Sequence, residues 1–184
     1  VSIVPLQSPL LIDGLGRYVE ADFTAPGVDG VDELTVASLY LPKGAADTPQ
    51  DAANRVEKTL KPDVAWCAEH KIDYLPVLFP GFSWQNLSKS RGQEAKFDAI
   101  PRLGGQFLWS QAVAAKQAGS QMLYVAMFDE LDEGTAIFKT ENHPPVGASP
   151  FLAEPDLPND HNLWLTGMLG KLLRGEASNE MPKR

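Results

Sequence analysis

Hydrophobic and polar residues alternate along Tyr18-Val19-Glu20-Ala21-Asp22-Phe23, as a half-buried strand requires. Leu34 to Leu41 is a second strand candidate, and Gly27-Val28-Asp29-Gly30 between them has turn chemistry. The pattern predicts a β-hairpin closed by Pro42-Lys43-Gly44. Val1 to Ile12 is apolar but broken by Pro5 and Pro9, which confines it to a sheet edge or an extended arm.

From Thr48 the period changes. Thr48 can cap a helix, Pro49 suits its first position and Asp51 its third, so a helix is predicted to about Leu60. Pro62 restarts it, with Asp63 in the first turn and Val64, Cys67 and Ala68 along one side. Ile72 to Phe79 reads as a strand that tolerates Pro76 near an edge or a bulge. Pro80-Gly81-Phe82-Ser83-Trp84 is the loop leaving it, followed by a polar stretch from Gln85 to Lys96. Leu103 or Gly104 to Ala118 is a helix stopped by Gly119. Gln121 to Phe128 is a short apolar run suited to a parallel strand covered on both faces. A Pro-rich connector, Asn142 to Pro158, leads to an amphipathic helix from His161 to Leu173, and the tail from Gly175 is expected to fray. This order is the alternation of βα units. The fold class expected is α/β: a partial (β/α)-barrel-like open sheet of four to five strands with an N-terminal β-hairpin.

Composition narrows the partners. A chain of 184 residues accommodates one domain, or a domain with an appendage. The net charge of −8 argues against a nucleic-acid backbone as partner, since phosphate binding wants a basic face. Solubility is its simplest explanation. The single Cys67 excludes an internal disulfide and a thiolate metal cluster. No apolar stretch approaches the ~20 residues that span a bilayer, and no secretory leader is evident.

The chemistry concentrates in Asp129-Glu130-Leu131-Asp132-Glu133, directly after the Gln121–Phe128 run. The carboxyl end of a parallel strand is where open α/β sheets and barrels build active sites. Folding gains nothing from crowding like charges there. Glu130 and Glu133 are the leading pair, because neighbouring carboxylates push their pKa values apart and can serve as acid and base in glycosidic cleavage. Asp129 and Asp132 would orient them or bind backbone amides. Two other readings stay open: solvated acids capping a following helix, and a divalent-cation site of hard oxygen ligands. The spacing does not match an EF-hand. Phe82 and Trp84 fall on the same strand-end face, and flat rings with a polar edge suit a sugar. Trp66, Trp109 and Trp164 lie on predicted helices and read as core, as Tyr124 does on its strand. His70, His143 and His161 lack metal-ligand spacing, and Ser83 and Ser110 have no evident triad partners. Leu103-Gly104-Gly105 lacks a phosphate-binding pattern. No metal or cofactor is expected.

Several segments resemble the C-terminal half of bacterial glycoside hydrolase family 71/99-like proteins. They are Asp63 to Cys67, Tyr74 to Trp84, Ile100-Pro101-Arg102-Leu103-Gly104-Gly105, Tyr124 to Phe138, and His161 to Gly167. The resemblance implies a (β/α)8 barrel that cleaves α-linked glycans without a metal. Its Glu-x-x-Glu-Gly-Thr pattern falls on Glu130 and Glu133. Glu130 would act as base toward a sugar 2-hydroxyl, giving an epoxide-like intermediate, and Glu133 as general acid/base at the leaving oxygen. Asp129 and Leu131-Asp132 depart from the family pattern, which usually has Asn and Trp-His there. Gly16 to Phe23 and Leu34 to Gly44 are instead similar to a strand pair of exonuclease III-type phosphodiesterases, with Tyr40 near a tyrosine that contacts the site there. The remaining nuclease machinery is absent, and two resemblances meeting near residue 48 imply a chimeric chain.

The expected organisation is a hairpin extension over 1–47, a glycoside hydrolase-like segment over 48–176 and a tail over 177–184. A full barrel takes about 250 residues, so exposed strand edges would be covered by the hairpin, by helices or by another copy in a homo-oligomer. The expected partner is an oligosaccharide or polysaccharide, not a nucleic acid or a membrane, which implies a secreted or periplasmic setting. The leading activity is that of a retaining, metal-independent glycoside hydrolase. A non-catalytic carbohydrate-binding or assembly module is the second reading and a metal-dependent phosphodiesterase the third.

Overall fold

The structure, a computed structural model, describes residues 4–5, 10–11, 18–24, 33–39, 47–145 and 147–184. The chain divides into two compact units, Val1–Gly44 and Ala45–Arg184. In the first, β3 (Tyr18–Thr24) pairs antiparallel with β4 (Glu33–Leu39), from Tyr18 opposite Leu39 to Thr24 opposite Glu33. Two short strands, β1 (Val4–Pro5) and β2 (Leu10–Leu11), share the other edge of β3. Pro5 sits in a strand that pairs on one side only, where a residue without an N–H is tolerated. The predicted turns at Gly27–Gly30 and Pro42–Gly44, and Tyr40, lie outside the described residues.

The second unit opens with α1 (Pro49–Arg55), whose start is the one its residues dictate. The Asp51 amide donates to Thr48 Oγ1 at 3.0 Å, and Pro49 occupies the first turn. The helix does not run regularly to Leu60. Val56–Leu60 is a wider turn in which the Lys61 amide reaches back five residues to the Val56 carbonyl, before α2 (Lys61–Glu69). Pro62 accounts for this: its ring crowds the carbonyl four residues back and it has no N–H to give.

Next come β5 (Val77–Leu78), α3 (Gln85–Ser90), a tight turn at Leu103–Gly105, α4 (Gln106–Ala118), β6 (Tyr124–Val125) and α5 (His161–Leu173). Strands β5 and β6 are parallel, Val77 opposite Tyr124 and Leu78 opposite Val125. The Tyr124 amide donates to the Pro76 carbonyl at 3.0 Å, and the Ala126 amide to Leu78 at 2.8 Å. Two predicted eight-residue strands thus contract to two residues each, and the single sheet of four to five strands becomes two separate sheets. Strand length is set by pairing partners, and among the described residues this open sheet has two strands and does not close into a barrel. Nor is it covered on both faces. Leu78 is buried, whereas Val77 and Tyr124 are 60% and 47% exposed.

Helix α4 joins two apolar clusters. Leu108, Trp109 and Ala112 pack with Leu78 and with Leu165, Leu169 and Leu172 of α5. Phe107, Ala114 and Ala118 pack with Ala52 and Val56. The small alanines let α1 lie close against α4. Gln111 ties the helix to the strand layer by donating from Nε2 to the Phe79 carbonyl at 2.8 Å. Gly119 ends α4 in the left-handed region, at φ 99°.

Trp66 and the tail depart from expectation. Trp66 is 54% exposed and stacks on His70, with ring centroids 4.0 Å apart, because α2 buries none of its residues fully. The tail is docked rather than frayed. Trp109 Nε1 donates to the Asn179 carbonyl at 2.9 Å, Ala177 and Met181 pack on the first cluster, and Arg184 pairs with Asp160. A buried indole N–H needs an acceptor, and the tail supplies it. Among the described residues no helix is long and apolar enough to cross a membrane.

On α5, Leu165 is fully buried and Leu163 is 43% exposed. Leu165→Ala is expected to cost about 2–5 kcal/mol and Leu163→Ala no more than about 0.5 kcal/mol, measured by urea unfolding.

Candidate active site

The acidic residues occupy a turn between two limbs of one loop, and backbone hydrogen bonds fasten its base. Thr135 and Ala136 amides both donate to the Glu130 carbonyl, at 3.1 and 3.0 Å. The Met127 amide reaches the Thr135 carbonyl, and the Phe138 amide reaches Phe128 at 3.0 Å. Gly134 takes φ 66°, and a Cβ there would lie 2.5 Å from Leu152 Cδ1, so glycine is the residue this turn accepts.

The loop leaving β5 meets the acidic loop directly. The Ser83 amide donates to the Glu133 carbonyl at 2.7 Å, and Ser83 Oγ accepts from the Asp98 amide at 3.2 Å. Phe82 bridges to Ile100. Phe82 and Trp84 pack edge to face, 4.9 Å between centroids, and Trp84 remains 44% exposed. The aromatic loop and the acidic loop are therefore neighbours, as strand-end geometry predicts.

The four acids are not equivalent. Glu130 and Glu133 are half-buried, whereas Asp129 and Asp132 are exposed. Burial raises the Glu133 pKa above the ordinary glutamate range, the Glu130 and Asp132 charges raise it further, and Arg91 opposes them. Among the described residues no helix follows the loop before α5, so the acids have no following helix to cap. Among the described residues no group of three or more His, Cys, Asp or Glu is placed to hold a metal. The two glutamates do not form a closed paired-carboxylate site. No hydrogen bond joins them, and Leu131 and Phe128 beside them are 43% and 60% exposed.

Three residues of this region carry no role in the sequence reading: Arg102, Glu154 and Asn162. Arg102 is buried and donates from Nη2 to the Gly134 carbonyl at 2.8 Å and to the Ala136 carbonyl at 3.2 Å. Its signal was the Ile100–Gly105 motif, whose arginine had no evident work. His161 is buried and places Nε2 3.1 Å from the Gly104 carbonyl, a structural contact. A groove between α1, α4 and the tail, lined by Pro49, Ala53, Trp109, Val113 and Met181, includes none of the expected site residues.

Parallel strands β5 and β6, with α4 and α5 packed against Leu78, make a small open α/β arrangement. Two solved structures share it: the GH99 endo-α-mannosidase from Bacteroides thetaiotaomicron in complex with Bis-Tris-propane, and the same enzyme described without that ligand. The first is 20% identical with a TM-score of 0.56, over 68% of this chain and 37% of the enzyme. The second is 21% identical with a TM-score of 0.56, over 72% and 37%. This chain thus spans little more than a third of their length, and the likeness shows the fold. No family model and no curated protein matches the sequence.

The raised Glu133 pKa has a thermodynamic consequence. The folded chain binds that proton more tightly than the unfolded chain, so stability from this group is present at low pH and is lost as pH rises through the folded pKa. Glutamine mimics the protonated acid. Glu133→Gln is expected to be more stable than the parent near neutral pH, with the gap closing as pH falls below the ordinary glutamate range. Denaturant midpoints across pH measure this.

Proposed function

We propose that this chain carries the carboxylate-bearing part of a glycoside hydrolase-like protein acting on α-linked glycans, without a metal, through Glu130 and Glu133. The observation that carries the reading is the half-buried pair at the carboxyl end of β6, tied through Ser83 to the Phe82–Trp84 loop. The fold likeness to an endo-α-mannosidase supports it. Glu133, held protonated more readily than a free glutamate, suits the proton donor at the leaving oxygen. Glu130 suits the base. It takes the proton of a sugar 2-hydroxyl while that oxygen attacks the anomeric carbon, the bond to the leaving oxygen breaks and Glu133 gives its proton. Water then opens the three-membered ring, giving its proton to Glu133 as Glu130 returns its own, with retention at the anomeric carbon. Asp129 and Asp132 shape the field around the pair, and the exposed Trp84 ring with Phe82 offers a stacking face to the sugar. A secreted or periplasmic setting and self-association over the open face of β5 and β6 belong to the same proposal.

The openness of the loop favours a second reading, a non-catalytic carbohydrate-binding or assembly module. Glycosidase rates depend on groups positioned by several strands, and this chain spans about a third of the enzyme it resembles.

Hydrolysis separates the two. The purified chain is expected to cleave α-mannoside or α-glucoside oligosaccharides, and Glu130→Gln and Glu133→Gln are each expected to lower the rate by about 10²–10⁴-fold. Binding without turnover, insensitive to both substitutions, would select the module.

A further inference from the structure

Arg102 is a buried charge that the proposed chemistry does not use. It sits where the chain turns from the Phe82–Ile100 bridge into α4, just before three left-handed residues, Leu103, Gly104 and Gly105 (φ 53°, 62° and 88°). Its side chain touches each limb of the site. The stem lies against Gly81, where a Cβ would come within 2.7 Å of Arg102 Cγ. Nη2 donates to the carbonyls of Gly134 and Ala136, which flank Thr135 at the exit of the acidic turn. Nη1 lies 3.4 Å from Glu154 Oε2 in the Pro-rich connector, and the same oxygen accepts from Asn162 Nδ2 of α5 at 3.0 Å.

Burying a guanidinium is costly, and an apolar side chain of similar volume often packs as well or better. What arginine alone offers is a rigid planar fork that reaches two carbonyls and a carboxylate together. A lysine ammonium is a point charge on a flexible stem and cannot keep that geometry. On the acidic loop the fork binds backbone carbonyls, with Glu154 its carboxylate partner outside the loop, so it fixes the path of that loop whatever its acids are doing.

We infer that Arg102, braced by Glu154 and Asn162, is a positioning residue that holds the Glu130–Glu133 turn against the Phe82–Trp84 loop. The inference rests on the proposed function for its catalytic meaning. Its physical content can be measured without turnover.

The test uses the full chain with Arg102→Lys and Glu154→Gln, reading amide hydrogen exchange and the NMR titration of the Glu133 carboxyl. With Arg102→Lys, exchange at Ser83, Thr135 and Ala136 is expected to quicken by about tenfold or more, while Leu169 and Leu172 of α5 stay unchanged. The Glu133 titration is expected to move down toward the ordinary range as water enters, with Glu130, Asp132 and Arg91 still the charges around it. Glu154→Gln keeps the arginine and removes the brace's charge, so a smaller change in the same direction is expected. Unchanged loop exchange and an unchanged Glu133 titration in Arg102→Lys would overturn the inference, as would quickening spread equally over α5. If Arg102→Lys does not fold, Glu154→Gln decides by the same readouts. A parent chain that hydrolyses nothing sinks the proposed function and leaves this inference standing.

Discussion

Burial of α4 is the constraint on which the rest of the second unit depends. One face of this helix closes against Leu78 and the leucines of α5, and another against Ala52 and Val56. Leu108, Phe107 and Ala112 are wholly removed from water. Because β5 and β6 pair over only two residues each, their ladder is too small to fix its own place. The helix fixes it instead, through Leu78 and through the Gln111 bond to the Phe79 carbonyl. That bond ends where the Pro80–Trp84 loop begins, so helix burial sets where the aromatic loop departs.

The acidic turn is then held by backbone rather than by its own side chains. Four carboxylates in one turn repel one another, and none gains a compensating hydrogen bond among the described residues. Amides paired to the Glu130 and Glu133 carbonyls, with Arg102 on the far limb, hold the turn despite that repulsion. The arrangement fixes the chain that carries the carboxylates without engaging the carboxylates themselves. Unequal burial does the remaining sorting: two glutamates half-buried, two aspartates in water.

What the sequence made legible was local. Thr48, Pro49 and Asp51 announce a helix start because capping is chemistry between residues three apart, and Gly119 announces the stop for the same reason. Alternation over Tyr18 to Phe23 announces β3. The acidic turn and the aromatic loop were both visible as unusual residues after apolar runs. Whatever depended on distant partners was hidden. Strand lengths contracted because a ladder needs a neighbour that composition cannot reveal. Trp109 finds its acceptor 70 residues away, so nothing local marks the tail as docked. Arg102 reaches 32 and 34 residues along the chain to its carbonyls, and no spacing rule covers that. Trp66 read as core because aromatic residues on helices usually are, yet α2 has little to bury it against.

Under the proposed function the aromatic and acidic loops form one glycan-facing site. Chemical-shift mapping of the isotopically labelled chain during titration with an α-linked manno-oligosaccharide tests it most directly. Perturbations concentrated at Ser83, Trp84, Glu130 and Glu133, and weakened by Trp84→Ala, are the predicted result. No perturbation, or one confined to the groove between α1, α4 and the tail, would contradict it.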